Sequence, residues 1–199
     1  MTTLTIRIVN YYLMDKLLFT LLPIHNGHDN NPADNQGFTP LQIAAQTGHL
    51  DIYMLIIDKV ENKNPTDYYV GTTPYHLAAQ YGHFETCKFI FENVEVDDKN
   101  PADLNGTTPF HLAAQYGHFE ICKIFLYNVD NKNPATIDGV TPLHIAANNG
   151  HFQICKLIID HVNDKNPADN QGVTPLQIVT NNGHLDAYLQ ILPYLPYYF

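Results

Sequence analysis

One string returns five times along this chain of 199 residues, and no other feature constrains the fold as much. It reads FTPLQIAAQTGH at 38–49, TTPYHLAAQYGH at 72–83, TTPFHLAAQYGH at 107–118, VTPLHIAANNGH at 140–151 and VTPLQIVTNNGH at 173–184. Its prolines, Pro40, Pro74, Pro109, Pro142 and Pro175, fall 34, 35, 33 and 33 residues apart. A second signature keeps the same phase: NPAD from Asn31, NPTD from Asn64, NPAD from Asn100, NPAT from Asn133 and NPAD from Asn166. A fixed period of this length marks a stack of supersecondary units, each too small to bury its own apolar face.

Each unit reads physically. The Thr before Pro supplies an N-cap oxygen, and Pro takes the first helical position, where its missing N–H costs nothing. A short helix follows, with small residues such as Ala44 and Ala45 allowing neighbours to approach. Gly48, Gly82, Gly117, Gly150 and Gly183 stand where that helix must stop in a left-handed conformation. A second helix carries Asp51, Glu85, Glu120, Gln153 or Asp186 in its first turn, and acids there suit the helix dipole. Apolar residues such as Ile154, Cys155, Leu157, Ile158 and Ile159 cover too wide an arc for a lone surface helix and fit burial between units. The Asn-, Asp-, Pro- and Gly-rich stretch at 163–173 is a turn projecting before the next Thr-Pro.

The run TPLHIAANNGH at 141–151 closely resembles the ankyrin repeat, and the likeness covers roughly residues 31–192. It implies an all-α solenoid of stacked helix-turn-helix units with projecting β-hairpin-like turns and a concave recognition face. It also implies a single domain over 1–199, with five repeats at 31–192. Residues 1–30 would form an N-terminal cap, with a degenerate half repeat at 13–24, and 193–199 an apolar, aromatic tail folded over the last repeat or serving as a docking patch. Two departures stand out. Val162-Asn163 replaces the Gly-Ala that usually ends the second helix, and Val disfavours positive φ. The hairpin at 67–72 is one residue longer than its counterparts, and 92–99 carries the other surplus; insertions of this kind belong on binding faces.

Function follows the family's common denominator, which is binding other proteins. The resemblance puts a partner against the hairpin tips and the exposed side of the first helix. By position, that selects Phe38, Tyr68, Tyr69, Thr72, Tyr81, Leu104, Asn105, Thr107, Tyr116, Ile137, Val140, Asn149, Val173 and Asn182. Tyr68, Tyr69, Tyr81, Leu104 and Tyr116 are expected to crowd together between repeats two and three as an aromatic anchor; the competing reading is that Tyr81 and Tyr116 merely pack on one another. Almost no positive charge falls on this face, so a neutral or basic protein partner is favoured over an acidic or phosphorylated one.

Composition narrows the alternatives. Ten Lys and Arg against twenty Asp and Glu give a formal charge of −10, and Arg7 is the sole arginine. Phosphate recognition runs on Lys and Arg, so nucleic acid and anionic membrane are excluded as partners. The three cysteines, Cys87, Cys122 and Cys155, hold equivalent places in successive repeats, about 10 Å apart by helix packing distance, too far for disulfides. Free buried thiols indicate a reducing, cytoplasmic setting. No signal peptide and no apolar span of membrane length stand out.

Of the eleven histidines, His25, His28 and His161 fall outside the repeat pattern, and no metal-ligand spacing occurs. The five Gly-His residues of the recurring string and the three Thr-Pro-x-His residues hold fixed places in the repeat and make rows, not a cluster. They are expected to bond turn backbone and neighbouring repeats. The cysteines beside Lys88, Lys123 and Lys156 read as packing, because burial raises a thiol's pKa. The chain is therefore expected to be no enzyme, with no cofactor, no metal and no small-molecule substrate, acting as a monomeric interaction module. The alternatives are an adaptor or inhibitor that blocks another protein's surface, or a fragment of a larger ankyrin-repeat protein.

Overall fold

The computed structural model describes residues 31–94, 99–184, 186 and 189. The expectations for 1–30, for 95–98 and for the tail at 193–199 lie outside the described residues. Among the described residues the helices are α1 (Pro40–Thr47), α2 (Leu50–Ile57), α3 (Pro74–Gln80), α4 (Phe84–Asn93), α5 (Pro109–Gln115), α6 (Phe119–Asn128), α7 (Pro142–Asn148), α8 (Phe152–Ile159) and α9 (Pro175–Asn181), with no strand.

The odd-numbered helices are short, and in α1 the first-turn donors are all engaged. In α1, Pro40 at the first position has no N–H to satisfy. The N–H of Leu41 donates to Asn31 Oδ1 at 3.0 Å, that of Gln42 to Thr39 Oγ1 at 3.4 Å, and that of Ile43 to the Thr39 carbonyl at 3.0 Å. In four of the five described units the two recurring signatures are thus one device: the Asn that opens the NPxD or NPxT run and the Thr of Thr-Pro serve the same helix start, ten and three residues away. Asn100, Asn133 and Asn166 repeat the bond to Phe110, Leu143 and Leu176. A seven- or eight-residue helix is marginal alone, so this capping and the packing below carry it.

The five first helices pack in a row, each on its predecessor, and α2, α4, α6 and α8 form a parallel second row. Ala44, Ala45, Ala78, Ala79, Ala113, Ala114, Ala146 and Ala147 are fully buried where the first helices meet. The larger volume is filled from the second row and the starts of the first: Tyr53, Tyr75, Phe110, Phe125, Ile121 and Ile158 are all buried. Phe110 stacks on Phe125 with centroids 5.5 Å apart, and Tyr75 lies 5.2 Å from the same ring.

Among the described residues none of the second helices has a left-handed cap residue. Asp58 and Asp160 cap α2 and α8 in right-handed conformations, and Val94 and Val129 leave α4 and α6 extended. Lysine ammonium groups take over the exposed carbonyls: Lys99 donates to Phe91 O at 2.9 Å and Val94 O at 2.7 Å, and Lys165 donates to Ile159 O and Val162 O.

Candidate functional site

The hairpins owe their shape to one side chain each. Asp34 Oδ1 accepts from the N–H groups of Gln36 and Phe38, both at 2.9 Å, while Asp34 N–H donates to Phe38 O. Asp103 and Asp169 repeat this arrangement. In the longer hairpin Asp67 absorbs the additional residue by holding three N–H groups, of Tyr69, Val70 and Thr72, at 2.8, 2.9 and 2.5 Å. Burial pushes this carboxyl up, but those donors outweigh it and hold it below its ordinary value. Gly37, Gly71, Gly106, Gly139 and Gly172 turn at φ between 77° and 86°.

Successive tips are tied by single backbone bonds: Tyr68 N–H to Gln36 O, Leu104 to Val70, Ile137 to Asn105 and Asn170 to Asp138, at 2.8–3.2 Å. A side chain on the preceding hairpin's glycine would strike the Tyr68 ring at Gly37 and would meet Leu104 at Gly71. The Tyr68 and Leu104 side chains therefore lean back along the stack, and the tip side chains stay open to solvent. Tyr68 is 67% exposed, Tyr69 70%, Leu104 71% and Ile137 67%.

Tyr81 and Tyr116 lie on another row, at the ends of α3 and α5. Gln46 Nε2 donates to Tyr81 OH at 3.2 Å and Gln80 Nε2 to Tyr116 OH at 3.4 Å, and each ring stacks on the histidine two residues on. The expected single crowd is thus resolved into two rows: tips, and first-helix ends. Tyr68 and Tyr81 face the first unit, while Leu104 and Tyr116 face the second. Asn105, Asn149 and Asn182 are exposed on these rows. Phe38, Thr72, Thr107, Val140 and Val173 are half-buried instead. They close the hairpins, because their carbonyls accept from the N–H of Asp34, Asp67, Asp103, Thr136 and Asp169.

Those same carbonyls explain the histidines. Thr108 N–H donates to His111 Nδ1 at 3.1 Å, which fixes Nδ1 as an acceptor and leaves the proton on Nε2. Nε2 then donates to Val140 O of the next unit at 3.1 Å. His76 and His144 do the same to Thr107 O and Val173 O. Gln42 is their isostere, with Oε1 accepting from Thr39 N–H and Nε2 donating to Thr72 O. Protonation would place a hydrogen against the threonine donor in a dry site, so burial drives the His111 imidazole down to about 4 and lowers His76 and His144.

The Gly-His histidines point the other way. His83, His118, His151 and His184 bond through Nε2 to Gln46 O, Gln80 O, Gln115 O and Asn148 O of the preceding unit, at 2.9–3.1 Å. The capping-box role of the Thr-Pro-x-His/Gln residue was missed in the sequence, although an acceptor three residues after an N-cap Thr was a usable signal.

Burial also pushes the three free thiols up, that of Cys155 to about 12. No group of His, Cys, Asp and Glu able to hold a metal occurs among the described residues, and no helix there is long and apolar enough to cross a membrane. Two open grooves, of about 450 and 590 Å3, run between loops that include Asp130, Asn131 and Asp164 and reach the hairpins at Gly106, Gly139 and Asn170.

The electrostatics of the face are extreme. Residues 31–48, 64–82, 100–117, 133–150 and 166–183 contain one carboxylate each and no Lys or Arg.

A family model described as ankyrin repeats (3 copies) matches residues 8–100, 71–136 and 110–195. No curated protein matches the chain. Ankyrin repeats are generally protein–protein interaction modules and typically lack catalytic activity. Paired helices stacked through Thr-Pro caps and linked by turned hairpins are the architecture that the matched family shares, and this chain belongs to the ankyrin-repeat family.

Proposed function

We propose that this chain is a non-catalytic binding module that docks a neutral or basic protein segment on its hairpin tips and first-helix ends. The observation that supports this most is the pairing of exposed Tyr68, Tyr69, Leu104 and Ile137 with a face that has no cation. Large apolar side chains held open to solvent on backbone braced by Asp67 and Asp103 suit a preorganised contact surface, which loses little entropy on binding. Absence of Lys and Arg turns away phosphate-bearing ligands, which need such donors. The histidines and thiols have structural partners or buried positions that account for their recurrence, so the reading needs no chemistry from them.

The test compares proteins recovered from a cell extract by the wild-type chain and by Tyr68→Ala/Leu104→Ala/Ile137→Ala, with thermal midpoints matched. Proteins held by the wild type and lost by the variant support the reading. Equal recovery by both removes the hairpins as the site.

A further inference from the structure

The five hairpins are not alike, and their differences are ordered. The first and last both read ADNQG, at 33–37 and 168–172, whereas the middle three read TDYYVG, ADLNG and ATIDG. Amide tips therefore flank an exposed apolar centre made by Tyr68, Tyr69, Leu104 and Ile137. An apolar centre inside a polar rim is the anatomy of a protein contact, because the rim keeps water from the centre.

The fourth hairpin adds a charge. In the other four, the single carboxylate sits at the base of the turn and holds two or three backbone N–H groups. Here Thr136 takes over the base, its Oγ1 accepting from Val140 N–H at 3.2 Å. The carboxylate moves to the tip as Asp138, exposed beside Ile137. Its backbone carbonyl accepts from Asn170 N–H, but its side chain has no hydrogen bond or ion pair with any described residue. This carboxylate, on a cation-free face and beside exposed Ile137, lacks the counter-charge that a partner would bring.

We propose that the middle three hairpins are the centre of the docking surface and that their occupant is an extended protein segment carrying apolar side chains and a Lys or Arg, with the cation meeting Asp138. Two steps along the stack span about 20 Å at ordinary helix spacing, the reach of about six extended residues. The proposal rests on the hairpin-face reading above and adds the partner's charge and the residue that selects it.

The test selects a displayed library of 12-residue peptides, a length of about twice that reach, in parallel on three immobilised full-length chains. These are the wild type, Asp138→Asn and Leu104→Ala/Ile137→Ala, each checked for folding by thermal melting. The wild type should enrich peptides rich in apolar residues with Lys or Arg. Asp138→Asn should keep the apolar preference and lose the basic one, and a wild-type-selected peptide should bind it about fivefold more weakly at low salt, a difference that fades at high salt. Equal Lys and Arg enrichment on Asp138→Asn overturns the assignment of Asp138 while leaving the hairpin face standing. Undiminished binding to Leu104→Ala/Ile137→Ala overturns both readings, and a wild type that enriches no sequence overturns the extended segment as occupant.

Discussion

At the residue scale, His111 shows how a side chain serves two units at once, and it yields a signed pH dependence. Its folded pKa, about 4, lies below its ordinary unfolded value, so the unfolded chain binds the proton first as pH falls. Its contribution is complete above the unfolded value and is lost as pH drops from about 6.5 towards 4, amounting to about 3 kcal/mol. His111→Gln should keep the geometry that Gln42 already displays, so urea titrations at pH 7 should differ little while the variant gains relative stability at pH 4.5. A variant that stays as acid-sensitive as the wild type would remove His111 from the account.

A second residue-scale test concerns the glycines. A methyl group at Gly82 would strike the His118 ring 2.5 Å away, whereas Gly183, at a similar φ of 71°, has nothing within 4 Å. Both alanine variants incur the left-handed cost of about 1 kcal/mol. Gly82→Ala should lose at least about 1 kcal/mol more, because the His118–Gln80 bond must also break. Denaturant midpoints for the two proteins decide it.

At the element scale, the ends of these helices matter more than their interiors. Lys99 closes α4 through two carbonyls, while Lys88 on the same helix is exposed and makes no bond to a described residue. Lys99→Met should cost about 1–2 kcal/mol, and Lys88→Met less than about 0.5 kcal/mol. Equal costs would make Lys99 a surface charge like any other. Helix placement, the Thr caps and the glycine stops were all legible in the sequence, since each depends on a residue type and its immediate neighbours. The lysine closures were not, because Lys99 lies eight residues from Phe91 and only the folded loop brings them together.

At the scale of the whole molecule, the main helix contacts among the described residues run within a unit or between neighbouring units, so stability is a chain of local contacts. Among its residues α9 buries only Pro175 and Val179, whereas α7 buries Pro142, Leu143, His144, Ala146 and Ala147. Amide hydrogen exchange should therefore be fastest in α9 and slowest in α3 and α5, and Val179→Ala should speed exchange in α9 while leaving α3 unchanged. Uniform acceleration would mean that the stack opens as one cooperative body.

The period, the caps and the lack of any cation between each NPxD signature and its glycine belong to the sequence alone, because they are properties of residue identity and spacing. From these came the all-α stack and the kind of surface it presents. Which candidates face solvent was a matter of tertiary structure. Phe38 and Tyr68 occupy hairpins of nearly the same pattern, yet one is half-buried where its hairpin closes and the other rests on the glycine of the unit before. The direction of each histidine, forward to Val140 or back to Gln80, was likewise decided by stacking, since the carbonyl it meets comes from another unit 29 or 38 residues away.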